Sequence, residues 1–276
     1  MTCHIIIVSH DSEAVLPLCL DSLATCGSEV RCTLADSGSA DRSFLEALVG
    51  RYPFPLQLIF CGDVGFAVAN NRAFSELSAD VDSNDTVVFL NPDAFVETGT
   101  LQAALKALHS LQDVAVVGGR LLGCNMVGEL TGRLDSTGIF RRWYGRWYDR
   151  GQGEMDSGQY LEGGEVPAVC GAFMVCHPAA LRDLWGEDST LFDPSFFLYK
   201  EDIELSLRLR ARGWKLCYLP QARVRHSRGW AEERSVMPIS RRMMAAENEV
   251  RLYLRHPSPY IFWALAKYLL VRFGRV

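Results

Sequence analysis

Thr86-Val87-Val88-Phe89-Leu90-Asn91-Pro92-Asp93 is a run of apolar, β-branched and aromatic residues that stops abruptly on turn-forming and acidic ones. With no polar residue inside the run, Thr86 to Asn91 reads as a strand covered on both faces. The pattern recurs upstream: Cys3 to Ser9 runs into His10-Asp11, and Thr33 to Asp36 runs into Ser37. Leu56 to Phe60 and Val114 to Gly118 are further strand candidates.

Helical patterns fill the intervals. Ser12 to Thr25 places Leu16, Leu20 and Leu23 on one face, and Asp41 to Val49, Phe66 to Leu77 and Thr98 to Leu111 follow. Strands alternating with helices imply βαβ units, hence an α/β fold with a mostly parallel central sheet flanked by helices. Ligands of such sheets bind beyond the strand C-termini. Three polar groups should therefore converge: Ser9, His10 and Asp11; Asp36 and Ser37; Asn91, Pro92 and Asp93.

Downstream, Cys124 to Glu165 is rich in Gly and Arg, carries Phe140, Trp143, Tyr144, Trp147 and Tyr148, and shows no clean period. It reads as a long excursion beside the site. Regular structure returns with a strand at Ala168 to His177, a helix from Asp202 to Arg212 closed by Gly213, and a strand from Trp214 to Leu219.

The 276 residues, 49% hydrophobic and 22% charged, suit a soluble globular protein of one large or two small domains. Nine scattered cysteines without a CxxC pair read as reduced core thiols of a cytosolic protein. Ile5-Ile6-Ile7-Val8 follows the start with no basic leader, and no apolar run approaches the roughly 18 residues of a membrane span, so neither secretion nor a transmembrane anchor is expected. From Arg234 onward eight Lys or Arg face two Glu, a tail of +6 on a chain of −5. The acidic remainder argues against nucleic acid as a partner. In the tail, Arg241, Arg242, Arg251 and Arg255 precede the apolar run Ile261 to Ala266, and Lys267 and Arg272 follow. Two readings stay open: a helix lying on an anionic membrane, or a helical pair packed on the domain or on a second copy.

Several residues suit chemistry on a phosphorylated ligand. An Asp ending an apolar strand, as Asp93 does, can offer oxygens to Mg²⁺ or Mn²⁺, which also takes diphosphate oxygens; Asn91-Pro92-Asp93 alone is also a turn signal. Gly62-Asp63-Val64-Gly65-Phe66-Ala67 opens the helix bearing Asn70, Asn71 and Arg72, and its small residues would let backbone N–H groups approach an anion. Glu201 and Asp202 start a helix, a capping position and also a suitable one for a general base. His226 reads either as a structural hydrogen-bonding residue or as a ligand for a Mn²⁺-type metal. The aromatic and arginine cluster from Phe140 to Arg150 suits an acceptor sugar and a lipid diphosphate, or a solvated loop.

Taken in order, Ile7-Val8-Ser9-His10-Asp11-Ser12 with Cys19-Leu20-Asp21-Ser22-Leu23, Asp36-Ser37-Gly38-Ser39, Gly65-Phe66-Ala67 with Asn70-Asn71, Leu90-Asn91-Pro92-Asp93, Gly171-Ala172, Phe192-Asp193, Glu201-Asp202 and Pro220 with His226 resemble the family 2 glycosyltransferases of GT-A fold. The likeness covers nearly the whole chain and is closest to the bacterial rhamnosyltransferase-like branch. It implies an inverting transfer of a sugar from a nucleotide-sugar donor to a hydroxyl of a surface-glycan precursor, such as an O-antigen or other lipid-linked oligosaccharide. The implied donor site takes in Ser9, His10, Asp11, Asp36, Ser37, Gly65, Phe66, Asn70, Arg72, Asn91, Gly171 and Ala172. Asp93 and His226 would hold a divalent cation, Mg²⁺ or Mn²⁺, and Asp202, with Glu201 beside it, would be the catalytic base. Asp149-Arg150-Gly151, Gln159-Tyr160 and Phe197 to Asp202 look most like enzymes that use dTDP-β-L-rhamnose. The sequence departs from the common pattern at His10-Asp11, where Tyr-Asn is usual, at Asp63, where Asn is usual, and at Asn91, which replaces the first acid of a full DXD.

The expected division is a catalytic domain over 1–232, with a nucleotide-binding half near 1–120 and an acceptor-binding half over 121–232, followed by a basic helical extension over 233–276. A cytoplasmic location, including the cytoplasmic face of the inner membrane, and a homodimer are compatible with it. Rival readings are a UDP-sugar-dependent transferase and a non-catalytic glycan-binding protein that keeps the fold. A sugar-1-phosphate nucleotidyltransferase would need a basic Gly-rich N-terminal loop, which Ile5 to Ser12 does not supply.

Overall fold

Every residue of β1 (Cys3–Ser9) is buried, and alternate residues enter different cores. Ile5 and Ile7 pack in one layer and Ile6 and Val8 in the other, as the two-residue period of a strand requires. The computed structural model describes residues 2–26, 29–78, 81–188, 190–228 and 237–274. Arg234, where the basic tail begins, lies outside the described residues.

The chain then runs α1 (Leu16–Ala24), β2 (Val30–Asp36), α2 (Arg42–Glu46), β3 (Leu56–Phe60), α3 (Gly65–Leu77) and β4 (Thr86–Leu90). β5 (Ala94–Val96), α4 (Thr100–Ser110), β6 (Val114–Cys124), β7 (Leu130–Ser136), β8 (Ile139–Arg141), β9 (Trp147–Asp149) and β10 (Gly164–Glu165) follow. The remainder is β11 (Phe173–Cys176), α5 (Pro178–Asp188), α6 (Glu201–Ala211), β12 (Lys215–His226), α7 (Ile239–Arg255) and α8 (Ile261–Gly274).

The main sheet has the order β10-β12-β6-β11-β4-β1-β2-β3, with β5 paired to β12 and β7 to β6. β1 runs parallel to both β2 and β4, and β2 parallel to β3, as the βαβ reading requires. β11 enters antiparallel between β4 and β6, so the far side of the sheet is mixed. Helix α1 covers one face with Leu16, Cys19, Leu20 and Leu23, and α3 covers the other with Ala67, Ala73, Phe74 and Leu77. Truncating one of these large buried side chains to Ala costs about 2–5 kcal/mol, a large share of the stability of an ordinary domain. All nine cysteines are free and eight are buried, in keeping with core thiols.

Beside β5 and α5, which the sequence reading does not include, and β6, which runs past Gly118 to Cys124, three segments differ from it. The strand expected to stop at Leu219 continues to His226: its pairing with β6 slips between Leu219 and Arg223, around Pro220, and then resumes. Proline cannot donate to a ladder, so it reads as a stop, but here a bulge absorbs it. The strand expected over Ala168 to His177 is regular only from Phe173, with Ala168 bridging instead to Ile139. The aperiodic excursion contains the hairpin β8–β9 and rests on the C-terminal helices: Tyr253 donates its hydroxyl to the Gly145 carbonyl, Arg141 stacks 4.4 Å above the Tyr260 ring, and Tyr144 meets Trp263 edge-on at 4.8 Å. Those contacts make it a packed element, not a solvated loop.

Helices α7 and α8 pack against each other and against this hairpin, yet α8 keeps an apolar stripe in solvent. Phe262 and Phe273 are each 75% exposed, with Leu265 and Leu269 between them at helical spacing, and Trp143, which meets the Tyr144 ring, is 86% exposed. Among the described residues no helix is long and apolar enough to cross a membrane.

Candidate active site

Register brings the strand tips to one edge of the sheet. Ser9 pairs with Asp36 across β1–β2, and Ile7 pairs with Leu90 across β1–β4, so the polar residues that follow each strand emerge side by side. Strands lie about 4.8 Å apart, which puts the tips of β2 and β4 roughly 10 Å from each other, a span that suits a nucleotide.

At the β1–β2 end the polar side chains build a tight loop cluster. Asp36 is fully buried and its carboxylate accepts from the amides of Gly38 at 3.2 Å and Ser39 at 3.0 Å. Ser37 donates its amide to the Ser9 carbonyl at 2.8 Å, and the His10 ring meets the Ser37 carbonyl through Nδ1 at 2.8 Å. Asp11, at a φ of 46°, accepts from the Ala40 amide at 2.8 Å. The buried Ser9 hydroxyl has no hydrogen-bond partner among the described residues.

Gly65 closes the cluster. Its amide donates to the Ser37 hydroxyl at 3.0 Å, its φ is +76°, and an added Cβ would lie 2.5 Å from the Phe197 carbonyl oxygen. Phe66 then donates its amide to that same carbonyl at 2.8 Å and sets its ring edge-on to Phe192. Asn70 is buried and bonded within its helix to the Phe66 carbonyl, and Arg72 donates to the Cys61 carbonyl at 2.6 Å. Asn71 holds the Leu191 and Phe192 backbone through three hydrogen bonds.

A second cluster forms where β4 and β12 end. The His226 ring, 2% exposed, lies with Nε2 3.3 Å from an Asp93 oxygen and Nδ1 2.7 Å from an oxygen of Asp135. The Asn91 side-chain amide reaches the same Nε2 at 3.5 Å. Burial disfavours the imidazolium, but the two carboxylates outweigh it and hold the His226 pKa at about 9. Burial likewise raises Asp93, and the facing His226 more than offsets it, leaving that carboxyl below its ordinary range. Asp135 also lies 3.5 Å from Arg228, whose guanidinium reaches Asp149 at 2.9 Å and the Cys170 sulfur at 3.2 Å.

The third element is the start of α6. Asp202 accepts from the Gly171 amide at 2.9 Å and from the Ile203 amide at 2.8 Å. Burial raises its carboxyl above the ordinary range, and the charge of Asp149 adds to the rise against the pull of Arg228. Glu201 is more deeply enclosed, and burial followed by the charge of Asp202 pushes it up to about 8. Ala172 accepts from the Asn91 amide at 3.0 Å, so the adjoining residues Gly171 and Ala172 fasten α6 to the tip of β4.

Asp93 and His226 thus meet, and Asn91, Gly171, Ala172 and Asp202 lie along the same edge. Asp36, Ser37, His10, Asp11 and Gly65 meet one another on the other side of β1. Asp135 and Arg228 carry no role in the sequence reading, and Asp149 enters it only through the likeness of Asp149-Arg150-Gly151. Asp135-Ser136-Thr137 does repeat the strand-ending pattern of Asp36-Ser37, which is the signal that could have found it.

Among the described residues no three His, Cys, Asp or Glu side chains are disposed to hold a metal ion on their own. Asp93 nevertheless offers a carboxylate and His226 an imidazole nitrogen once a cation displaces the proton that the two carboxylates hold on the ring, and a Mg²⁺- or Mn²⁺-sized ion held by few protein groups takes the rest of its shell from phosphate oxygens and water. The residues fit a cation that arrives with a diphosphate. An elevated carboxyl close by, at Asp202, fits acceptance of a proton from a hydroxyl.

A family model described as glycosyltransferase-like family 2 matches residues 3–247. The chain is 28% identical over 255 residues to an N-acetylglucosaminyl-diphospho-decaprenol L-rhamnosyltransferase of Mycobacterium tuberculosis, covering 88% of this chain and 77% of the relative. Among solved structures it is similar to GalNAc-T7 with UDP, GalNAc and Mn²⁺, at a TM-score of 0.60 and 13% identity over 98% of this chain and 56% of that one. It is also similar to residues 1–349 of S. aureus TarS in complex with UDP-GlcNAc, at a TM-score of 0.58 and 15% identity over 99% of this chain and 73% of that one. At such identities the two structures speak to the fold, which is the GT-A arrangement, and the chain spans only about half of GalNAc-T7.

Proposed function

Because the chain belongs to the glycosyltransferase-like family 2, we propose that it transfers L-rhamnose from dTDP-rhamnose, with inversion, to a hydroxyl of a lipid-linked precursor of a bacterial surface glycan. The observation that carries this is the Gly171-Ala172 backbone, which ties Asp202 and the Asn91–Asp93 turn together at the tips of the strands. The rhamnosyltransferase relative supports the choice of sugar.

In this reading the loop cluster of Ser9, His10, Asp11, Asp36, Ser37, Gly65 and Phe66 receives the nucleoside, with Asn70 and Arg72 behind it. Asp93 and His226 would hold a divalent cation, which supplies counter-charge to the departing diphosphate. Asp202 takes the proton from the acceptor hydroxyl, and Glu201 beside it is pushed up by burial and by the charge of Asp202. Arg228 offsets the charge of Asp202 as well as those of Asp149 and Asp135, with which it pairs. The nucleotide-binding half would be residues 1–120, the acceptor half 121–232, and the extension 233–276.

A panel of dTDP-rhamnose, UDP-hexoses and UDP-N-acetylhexosamines, with a synthetic N-acetylglucosaminyl-diphospho-isoprenoid as acceptor and Mn²⁺ present, tests the assignment. Turnover is expected with dTDP-rhamnose. Preference for a UDP-sugar would move the donor, and no turnover of any donor, by transfer or hydrolysis, would favour the glycan-binding reading.

A lipid-linked acceptor would put the reaction at the cytoplasmic face of the membrane, and the exposed stripe of Phe262, Leu265, Leu269 and Phe273, flanked by Arg272, supports docking there. Sedimentation with anionic vesicles should carry the protein down, and Phe262→Ser combined with Phe273→Ser should leave it in the supernatant. Equal sedimentation of both proteins would remove α8 from that role.

A further inference from the structure

The residues before Asp202 follow an unusual backbone path. Tyr199 and Lys200 are consecutive non-glycine residues at φ of 76° and 71°, a conformation that persists only where the surroundings enforce it. Lys200 occupies the N-cap position of α6 without a side-chain cap, so the helix itself does not set the turn.

Helix α7 supplies what is missing. The side-chain amide of Asn248, 1% exposed, donates to both the Leu198 carbonyl at 2.8 Å and the Tyr199 carbonyl at 2.9 Å. Its own oxygen accepts from Arg251. The next residue, Glu249, is fully buried, accepts from Lys267 of α8 and lies 3.9 Å from the Lys200 ammonium. Upstream, the Phe197 carbonyl accepts from the Phe66 amide. The turn is thus pinned at one end to the Gly65–Phe66 loop and at the other to α7, and Asp202 begins two residues later.

We propose that Asn248 and Glu249 are positioning residues that aim Asp202 by fixing the left-handed turn at Tyr199 and Lys200, which makes the C-terminal helices part of the catalytic apparatus. This rests on Asp202 being the base. Both residues fall just beyond the stretch 3–247 matched by the family model. An amide with two N–H groups is what two adjacent carbonyls need, and a buried carboxylate is what Lys200 and Lys267 need.

Asn248→Asp is the discriminating variant, since it keeps shape and the Arg251 contact but has no N–H to donate. With dTDP-rhamnose and the diphospho-isoprenoid acceptor, kcat should fall about 10- to 100-fold, the scale of a catalytic group displaced by about 1 Å, while donor KM and dTDP affinity stay near wild type. Leu252→Ala, one turn on in the same helix and buried in the core, is the packing control and should lower the melting temperature without splitting kcat from KM. Should Asn248→Asp not fold, Glu249→Gln is read by the same split. Wild-type kcat in the folded variant, or a loss of kcat, KM and melting temperature together as in Leu252→Ala, overturns the proposal. Asp202→Asn separates the two ideas: normal turnover there sinks the base, whereas a dead Asp202→Asn beside an active Asn248→Asp sinks only the positioning role.

Discussion

Asp202→Asn is expected to lower transfer by roughly 10²- to 10⁴-fold, the usual value of general-base assistance, with dTDP affinity unchanged. Asparagine keeps a side-chain oxygen for the Gly171 amide, so the junction between α6 and the β4 tip is retained. What disappears is the group able to take a proton. In the wild type, burial holds the Asp202 carboxyl above its ordinary range, so transfer should decline as pH falls through that raised value, and the variant's residual rate should lack this decline. Stability gives an independent check. A carboxyl whose folded pKa is raised favours the fold fully below its unfolded pKa and loses that contribution as pH rises through the folded value. At pH 7 to 8 the variant should therefore melt no lower than the wild type. Near-normal turnover, or a fall in dTDP affinity matching the fall in rate, would remove Asp202 from the role.

The parallel half of the fold and the strand-tip groups were legible because their signals are local. An apolar run that ends in Asp-Ser or Asn-Pro-Asp states both a strand and where it stops, and Cys3 to Ser9 and Leu56 to Phe60 fall on β1 and β3 as read. Other features depend on partners far along the chain. Asp135 matters through His226, 91 residues away, and Asn248 through Leu198, 50 residues away; no periodicity encodes such pairs. Pro220 concealed the second half of β12, and with it the fact that His226 sits on a strand. The hairpin at Ile139 to Asp149 was hidden for another reason: its aromatic and arginine residues pack on α7 and α8, so neither a clean helical nor a strand period survives.

Asp93→Ala should abolish most of the gain in dTDP affinity that Mn²⁺ provides, while metal-free binding stays as it is. The metal-dependent part should fall by at least about 10- to 100-fold, since losing even a partner outside the coordination shell costs that much. The geometry explains why His226 cannot replace it. Its Nδ1 is committed to the buried Asp135, and only Nε2 faces the Asp93 side. With Asp93 gone, one imidazole nitrogen remains, a neutral nitrogen donor for a hard cation that prefers charged oxygen. The surrounding charges make the loss specific: Asp135 still pairs with His226 and Arg228, so the buried cations keep a partner and the fold should persist. Calorimetry of dTDP with and without Mn²⁺, on the wild type and the variant, reads the difference directly. An unchanged Mn²⁺ increment would exclude Asp93 as a ligand and leave the β4 tip with only its turn-forming role.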